Sequence, residues 1–307
     1  MRFMRVLYPL LIAACGGAGG HAATVTTEFD GQAALGYVKK QLDFGPRIPG
    51  TAGHRNTGDW ISQMMRERAD TVIEQRWTHT TKTGKQLPLR NILARFNRNA
   101  AQRVLFVTHW DTRPLADASM NLGERMSPVP GANGGGSGTA LLIALGDALK
   151  KSPLPANVGV DFVFVDGEDY GDFGKNQDVL IGSRYFAEHL PDSAYRPLFG
   201  VLWDMIGDKE LKIEQESISL ERAPEVVQRV WKTATDLGYG SYFLAQEGQS
   251  VTDDHVPLLD KGLRIIDVID YDFAAHHTPR DTIDQVSAQS LKIVGDIALT
   301  LIRDVAR

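Results

Sequence analysis

Short apolar runs that alternate with amphipathic helices are the feature that most limits how this chain can fold. Four runs of six to eight residues have the length and composition of buried strands, at 103–108, 158–165, 197–203 and 263–269. Amphipathic helices are predicted at 33–42, 57–68, 138–151 and 224–237, and from a Ser287 cap onward. Less regular segments predict strands at 89–96 and 211–214 and a short helix at 183–189. This order predicts an α/β fold: a mixed, mostly parallel central sheet flanked by helices, in a single domain.

Composition removes several classes of function from consideration. The chain has 307 residues, of which 43% are hydrophobic, so it can bury a large core without a disulfide or a structural metal. Its formal net charge of −5 argues against a simple nucleic-acid binder, which needs a basic face. One cysteine excludes an intrachain disulfide. No apolar run approaches the ~20 residues of a membrane-spanning helix.

The N-terminal residues have the pattern of an export signal. Two arginines and a nine-residue apolar stretch precede Cys15, which predicts a signal peptide over residues 1–14. The segment 12–15 resembles a bacterial lipobox, in which the cysteine is acylated, and residues 15–26 would then form a flexible tether. The alternative is ordinary cleavage near Ala22 or Ala23. We therefore expect a protein of the bacterial cell envelope, lipid-anchored or periplasmic or secreted, with its folded domain at residues 27–307.

Carboxylates and imidazoles follow the predicted strands, at the point where each strand ends. The residues are His109, Asp111, Asp166, Glu168, Asp169, Asp204 and Asp270, with Asp253 and Asp254 in a separate loop and His276 and His277 behind the last strand. Each aspartate alone is typical of a turn. Together they point to a site, because ligands of open α/β sheets bind beyond the carboxyl ends of the strands. Mixed Asp, Glu and His side chains suit a divalent ion, most often zinc.

Other chemistries fit the sequence less well. The glycine-rich stretch 134–138 lacks the Gly-Lys-Ser/Thr ending of a phosphate-binding loop and does not follow a strand. Ser137 is not in a Gly-x-Ser-x-Gly nucleophile elbow, because Thr139 occupies the last position. A cysteine nucleophile is excluded because Cys15 belongs to the predicted signal.

Eight short motifs, in order along the chain, resemble those of peptidase family M28, the zinc-aminopeptidase-like superfamily. Within that family they are most similar to the glutaminyl-peptide cyclotransferases. The motifs lie at 45–51 (GPRIPGT), 109–111 (HWD), 130–133 (PGAN), 166–169 (DGED), 180–184 (LIGSR), 203–207 (WDMIG), 253–257 (DDHVP) and 277–278 (HT). The resemblance runs from about residue 44 to the C-terminus. It implies a zinc-aminopeptidase-like (phosphorylase/hydrolase-type) fold.

The resemblance also implies a reaction: cyclisation of the N-terminal glutamine of a peptide to pyroglutamate, with release of ammonia. Glu168 would be the general acid and base. Asp204 and Asp253, with the neighbouring Asp254, would form a hydrogen-bonded network around the substrate amine. The implied cofactor is one zinc ion.

The implied metal ligands are fewer than the family pattern requires. Asp169 would replace the glutamate that binds zinc, His277 would be a second ligand, and His109 would match a ligand of the second metal in two-zinc peptidases. Family members have an aspartate ligand where this chain has Gly134, which leaves two ligands instead of about three. Asp111 or a water could fill the gap, or a metal in a shifted position could be bound by His109 and Asp204.

A further departure from the family pattern concerns the wall of the pocket. His276 stands where animal cyclases have a tryptophan, so Phe273, Tyr271 or Tyr170 would have to supply the apolar wall.

Three functions remain open. Cyclisation of peptides that begin with glutamine is the main expectation. The alternatives are an M28 metallo-aminopeptidase and a metal-deficient, non-catalytic envelope protein. A membrane would be contacted only through a lipid on Cys15, and no nucleic-acid partner is expected.

Overall fold

The computed structural model describes residues 27–305, so the predicted signal, Cys15 and the tether lie outside the described residues. The helices are α1 (Gly31–Asp43), α2 (Ala52–Arg66), α3 (Gly136–Lys151), α4 (Ile181–Glu188), α5 (Ser217–Arg222), α6 (Pro224–Asp236), α7 (His255–Asp260) and α8 (Ala288–Asp304). The strands are β1 (Thr71–Thr80), β2 (Gln86–Phe96), β3 (Gln102–His109), β4 (Val158–Val165), β5 (Phe199–Asp204), β6 (Ile213–Gln215), β7 (Phe243–Glu247) and β8 (Ile265–Ile269). None of the described helices is both long and apolar enough to cross a membrane.

Six strands of the described chain form the central sheet, in the order β1-β2-β4-β3-β5-β8. β4, β3, β5 and β8 run parallel, whereas β1 and β2 join antiparallel at one edge. The four parallel strands are buried along almost their whole length, as expected of strands covered on both faces. The predicted fold class, a mixed and mostly parallel sheet flanked by helices, is confirmed.

Helices cover the sheet in two groups. α1, α3, α6 and α8 pack against one another, and α3 also contacts β3 and β5. α4 and α7 contact each other and pack beside β2, β4 and β8. α3 is buried on nearly every face, which agrees with its apolar sequence. This arrangement leaves the carboxyl ends of the parallel strands free to carry loops.

Several elements were not evident from the sequence. β1 is an edge strand whose residues are half-buried or exposed, so its pattern is too polar to indicate a buried strand. α5, β7 and α7 have five or six residues each, which is too short for helical or strand periodicity to show. β6 overlaps the strand predicted at 211–214. Residues 253–255 were expected to lie in a loop, but His255 begins α7. α2 begins earlier than predicted because the Thr51 hydroxyl accepts a hydrogen bond from the His54 N–H and caps the helix.

Candidate active site

A pocket of about 530 Å³ lies at the carboxyl edge of the parallel strands. His109 ends β3, Asp204 ends β5, Glu168 follows β4, and Tyr271 follows β8, so four neighbouring strands each supply part of the wall. Asp253, just before α7, completes that side. This is the edge at which ligands of open α/β sheets bind.

Asp111 supports the loop that follows β4. Its carboxylate accepts hydrogen bonds from the backbone N–H groups of Glu168 and Asp169, each at 3.1 Å. Asp111 is completely buried and is not among the residues that line the pocket. Its position fixes the backbone of two acidic residues that do line the pocket.

One cluster of pocket residues holds carboxyl groups around an imidazole. The His109 Nε2 atom lies 3.1 Å from Asp204 Oδ1, and its Nδ1 atom lies 3.5 Å from Glu168 Oε2. The backbone N–H of Asp254 donates to Asp253 Oδ1 at 2.5 Å. All five residues are at most 8% exposed, so their charges interact in a poorly solvated environment.

Burial shifts the pKa values of this cluster upward. It raises the pKa of Glu168 well above its usual range, a shift that His109 opposes and Asp169 increases. Burial and the charge of Asp204 also raise the pKa of Asp253 well above its usual range. The pKa of Asp254 is raised to about 7, mainly by burial. The raised pKa values favour the protonated form of these carboxyl groups, and such groups can exchange protons with a bound amine.

A second cluster forms a closed ring of charges at the same pocket. The Arg113 Nη1 atom donates to Asp169 Oδ1 at 2.7 Å, and its Nε atom donates to Asp117 Oδ1 at 2.8 Å. The two ring nitrogens of His277 face the same carboxylates: Nε2 lies 3.2 Å from Asp169 Oδ1 and Nδ1 lies 3.8 Å from Asp117 Oδ1. Burial raises the pKa of Asp169, but His277 and Arg113 outweigh it and hold that pKa below its usual range. We call these four residues the charge ring.

The loop that carries Gly134 is held from two sides. The Arg47 side chain is completely buried and donates hydrogen bonds to the carbonyl oxygens of Trp110, Pro130, Gly131 and Gly134, at 2.6–3.2 Å. From the other side, the Asp281 carboxylate accepts the backbone N–H groups of Asn133 at 2.7 Å and Gly134 at 3.0 Å. The position of residue 134 is thus well determined, but glycine brings no side chain to it.

Two residues of the pocket wall have a left-handed backbone that non-glycine residues rarely adopt. Met205, directly after Asp204, has a φ of 46°, and His277 has a φ of 52°. Such strain persists only where surrounding structure enforces it, and it is concentrated at functional sites. Its presence at two lining residues supports this pocket as the functional site.

The apolar part of the wall includes one of the three aromatic candidates. Of the three aromatic candidates, Tyr271 lines the pocket, whereas Phe273 is buried in a small cluster beneath it and Tyr170 packs in a third cluster, away from the pocket. Phe173 lines the pocket and was not anticipated. His276 lines it too, and its ring lies 5.7 Å from that of Tyr271. Burial lowers the pKa of His276 to about 4, so this ring is neutral at physiological pH.

Most of the predicted site residues meet in this one pocket. Those that line it are His109, Glu168, Asp169, Asp204, Asp253 and His277. Asp111 and Asp254 do not line it, although both support residues that do. Arg113, Asp117 and Asp281 also line the pocket and were missed. The first two follow Asp111 in the same strand-end loop, so their position in the sequence was a usable signal.

A catalytic zinc ion needs about three protein ligands and an open position. Asp169 and His277 are close enough to share a metal, but Gly134 supplies no third donor. Within residues 27–305, no group of three or more His, Cys, Asp and Glu side chains is placed to hold a metal ion. The residues present therefore do not fit a catalytic zinc site, and we derive no reaction step through one.

Comparison with known proteins agrees with the fold and the site. The model of peptidase family M28 matches residues 91–302, and the chain belongs to this family. It is similar to the Drosophila melanogaster glutaminyl-peptide cyclotransferase, with 26% identity over 275 residues, 81% of this chain and 75% of that protein.

Solved structures give the same picture at higher identity. The glutaminyl cyclase of Porphyromonas gingivalis superposes with a TM-score of 0.87 at 35% identity, covering 90% of this chain and 99% of the other. A Zn-dependent exopeptidase from Parabacteroides distasonis superposes with a TM-score of 0.86 at 32% identity, covering 91% of this chain and 99% of the other. These relatives support an enzyme of the glutaminyl-peptide cyclotransferase class, with an exopeptidase as the alternative.

Proposed function

We propose that the protein converts the N-terminal glutamine of peptides to pyroglutamate and releases ammonia. The observation that carries the proposal is the cluster of buried carboxyl groups around His109, which includes Glu168, Asp204 and Asp253 in one pocket. Such a cluster favours an amine, because an ammonium group compensates carboxylate charge and a neutral amine can pass a proton to a carboxylate.

The substrate amine would bind against Asp204 and Asp253, which line the pocket with Glu168. The γ-amide oxygen would face the charge ring, where Arg113 supplies fixed positive charge and hydrogen-bond donors. This placement brings the α-nitrogen and the γ-amide carbon of one glutamine together. Because the attack is intramolecular, holding the bent side chain accounts for much of the acceleration.

Glu168 would transfer the proton that the reaction requires. The α-nitrogen forms a bond to the γ-amide carbon and gives one proton to the Glu168 carboxylate. The bond from that carbon to the amide nitrogen then breaks, and Glu168 returns the proton to the departing nitrogen, which leaves as ammonia. The raised pKa of Glu168 suits the first step, because it makes the carboxylate a stronger base than that of an exposed glutamate, and the same side chain can then return the proton.

The exopeptidase alternative uses the same pocket differently. A solved relative is named a Zn-dependent exopeptidase, and His109 and Asp204, whose Nε2 and Oδ1 atoms lie 3.1 Å apart, are side chains of the kinds that bind a hydrolytic metal. Hydrolysis needs an activated water, and a metal ion is the usual means to activate it. The incomplete donor set of this chain, with Gly134 in place of a ligand, therefore favours cyclisation, which needs no water.

A mass spectrum tests the proposal. The purified protein is incubated with a peptide that begins Gln-Phe, and the control is the same peptide acetylated at its N-terminus. Cyclisation gives a product lighter by one ammonia, faster than the spontaneous reaction, and the acetylated control stays unchanged. Free glutamine would indicate an exopeptidase. An unchanged Gln-Phe peptide would contradict the proposal.

A further inference from the structure

We propose that this pocket has no resident zinc ion and that Arg113 is the fixed cation of the site instead. The inference concerns the metal content of the pocket and stands whether or not the proposed cyclisation occurs. Three independent observations carry it: the number of donors, the reason for the glycine at position 134, and the partners of Asp169.

The pocket supplies two protein ligands for a zinc ion, one fewer than a catalytic zinc site needs. Asp169 and His277 approach within 3.2 Å, and no third His, Cys, Asp or Glu completes a group with them in residues 27–305. Asp281 is the nearest carboxylate to residue 134, but its oxygens accept the backbone N–H groups of Asn133 and Gly134. Turning it toward a metal would break both of these buried hydrogen bonds.

Neither the backbone conformation nor the space around position 134 requires a glycine there. Its φ is outside the left-handed region, unlike that of its neighbour Gly135 at 70°. A Cβ at position 134 would meet only Asp281 Oδ2, at an ordinary 3.4 Å. The fold would accept an aspartate, so the missing ligand is a change in the chemistry of the site and not a requirement of the backbone.

The two carboxylates of the charge ring already have partners within it. Asp169 Oδ1 accepts the Arg113 N–H at 2.7 Å and faces His277 Nε2, so one of its two carboxylate oxygens is already bonded. Asp117 lies against the same two side chains, those of Arg113 and His277. A divalent cation would have to displace the guanidinium from Asp169 or sit beside it, and both cost electrostatic energy.

Zinc titration of the full-length protein tests the inference without reference to turnover. The wild-type chain, after removal of metal and addition of zinc, should retain much less than one zinc per chain on gel filtration, measured by elemental analysis. Gly134→Asp should bind one zinc per chain, with an affinity at least ~100-fold higher by calorimetry.

A matched control places the same carboxylate elsewhere in the pocket. Gly174 also lines it, and a Cβ there meets only Asp172 Oδ1 at 3.3 Å. Gly174→Asp should leave zinc binding at the wild-type level. The inference is overturned if the wild-type protein retains one zinc per chain that His277→Ala removes, or if folded Gly134→Asp binds no more than wild type. If Gly134→Asp does not fold, the wild-type titration alone decides.

Discussion

Replacing Glu168 by glutamine removes the proposed proton carrier while keeping the shape of the side chain. Its backbone N–H would still donate to Asp111, so the loop after β4 should keep its position. Glutamine cannot accept and return a proton. A general acid and base contributes about 100-fold to 10,000-fold, which at about 1.36 kcal/mol per tenfold is about 2.7–5.4 kcal/mol of barrier.

The structure limits the other effects of this substitution. Glu168 is 6% exposed, and its burial together with the charges of Asp169, Asp253 and Asp254 outweighs the attraction of His109, so a neutral side chain should not lower stability. We expect kcat to fall by at least about 100-fold, KM to change by only a few-fold and Tm to stay or rise.

Ammonia release from a peptide beginning Gln-Phe measures kcat and KM, and thermal unfolding measures Tm. Glu188→Gln, an exposed residue on α4, is the matched control and should behave as wild type. A Glu168→Gln protein that is folded and turns over within tenfold of wild type would refute the role assigned to Glu168.

Three further predictions concern stability. Arg47→Met leaves four backbone carbonyls without their donor, two of them buried and two part-buried, and should cost about 3–5 kcal/mol in urea unfolding; a loss below 1 kcal/mol would contradict the role of Arg47. Burial raises the pKa of Asp270 to about 7, so the folded state keeps a proton that the unfolded chain releases above pH ~4. Stability should therefore fall as pH rises from about 4 to about 7. Asp270→Asn should remove up to about 4 kcal/mol of this pH-dependent loss of stability. If the stability of the variant depends on pH as that of the wild type does, Asp270 does not have this role. Gly138→Ala puts a methyl group against Thr108 Oγ1 and the Trp203 carbonyl oxygen and should cost about 1–3 kcal/mol; a neutral effect would mean that α3 can move away from the sheet.

The parts of the fold that sequence predicted are those with a strong periodic signal. The runs at 103–108 and 158–165 became β3 and β4 with nearly the same bounds, because a strand covered on both faces must be apolar throughout. β1 was missed for the opposite reason: residues such as Glu74 and Arg76 on a half-exposed edge strand give no apolar run.

The same distinction holds for the site. The carboxyl ends of parallel strands must meet, so the sequence alone placed His109, Glu168 and Asp204 together. It could not show that Arg113 binds Asp169, because these residues are 56 positions apart and their contact depends on how two loops fold. The consequence of Gly134 was visible as a missing ligand, but the space around it was not.

The central claim, that this pocket cyclises N-terminal glutamine, is tested most directly by following the nitrogen that leaves. A peptide beginning with glutamine is labelled with nitrogen-15 in the side-chain amide only, and the products are examined by NMR. We predict labelled ammonium at a rate well above the spontaneous one, with the unlabelled α-nitrogen retained in the pyroglutamyl peptide. Label that remains in free glutamine, or in the unchanged peptide, would contradict the account.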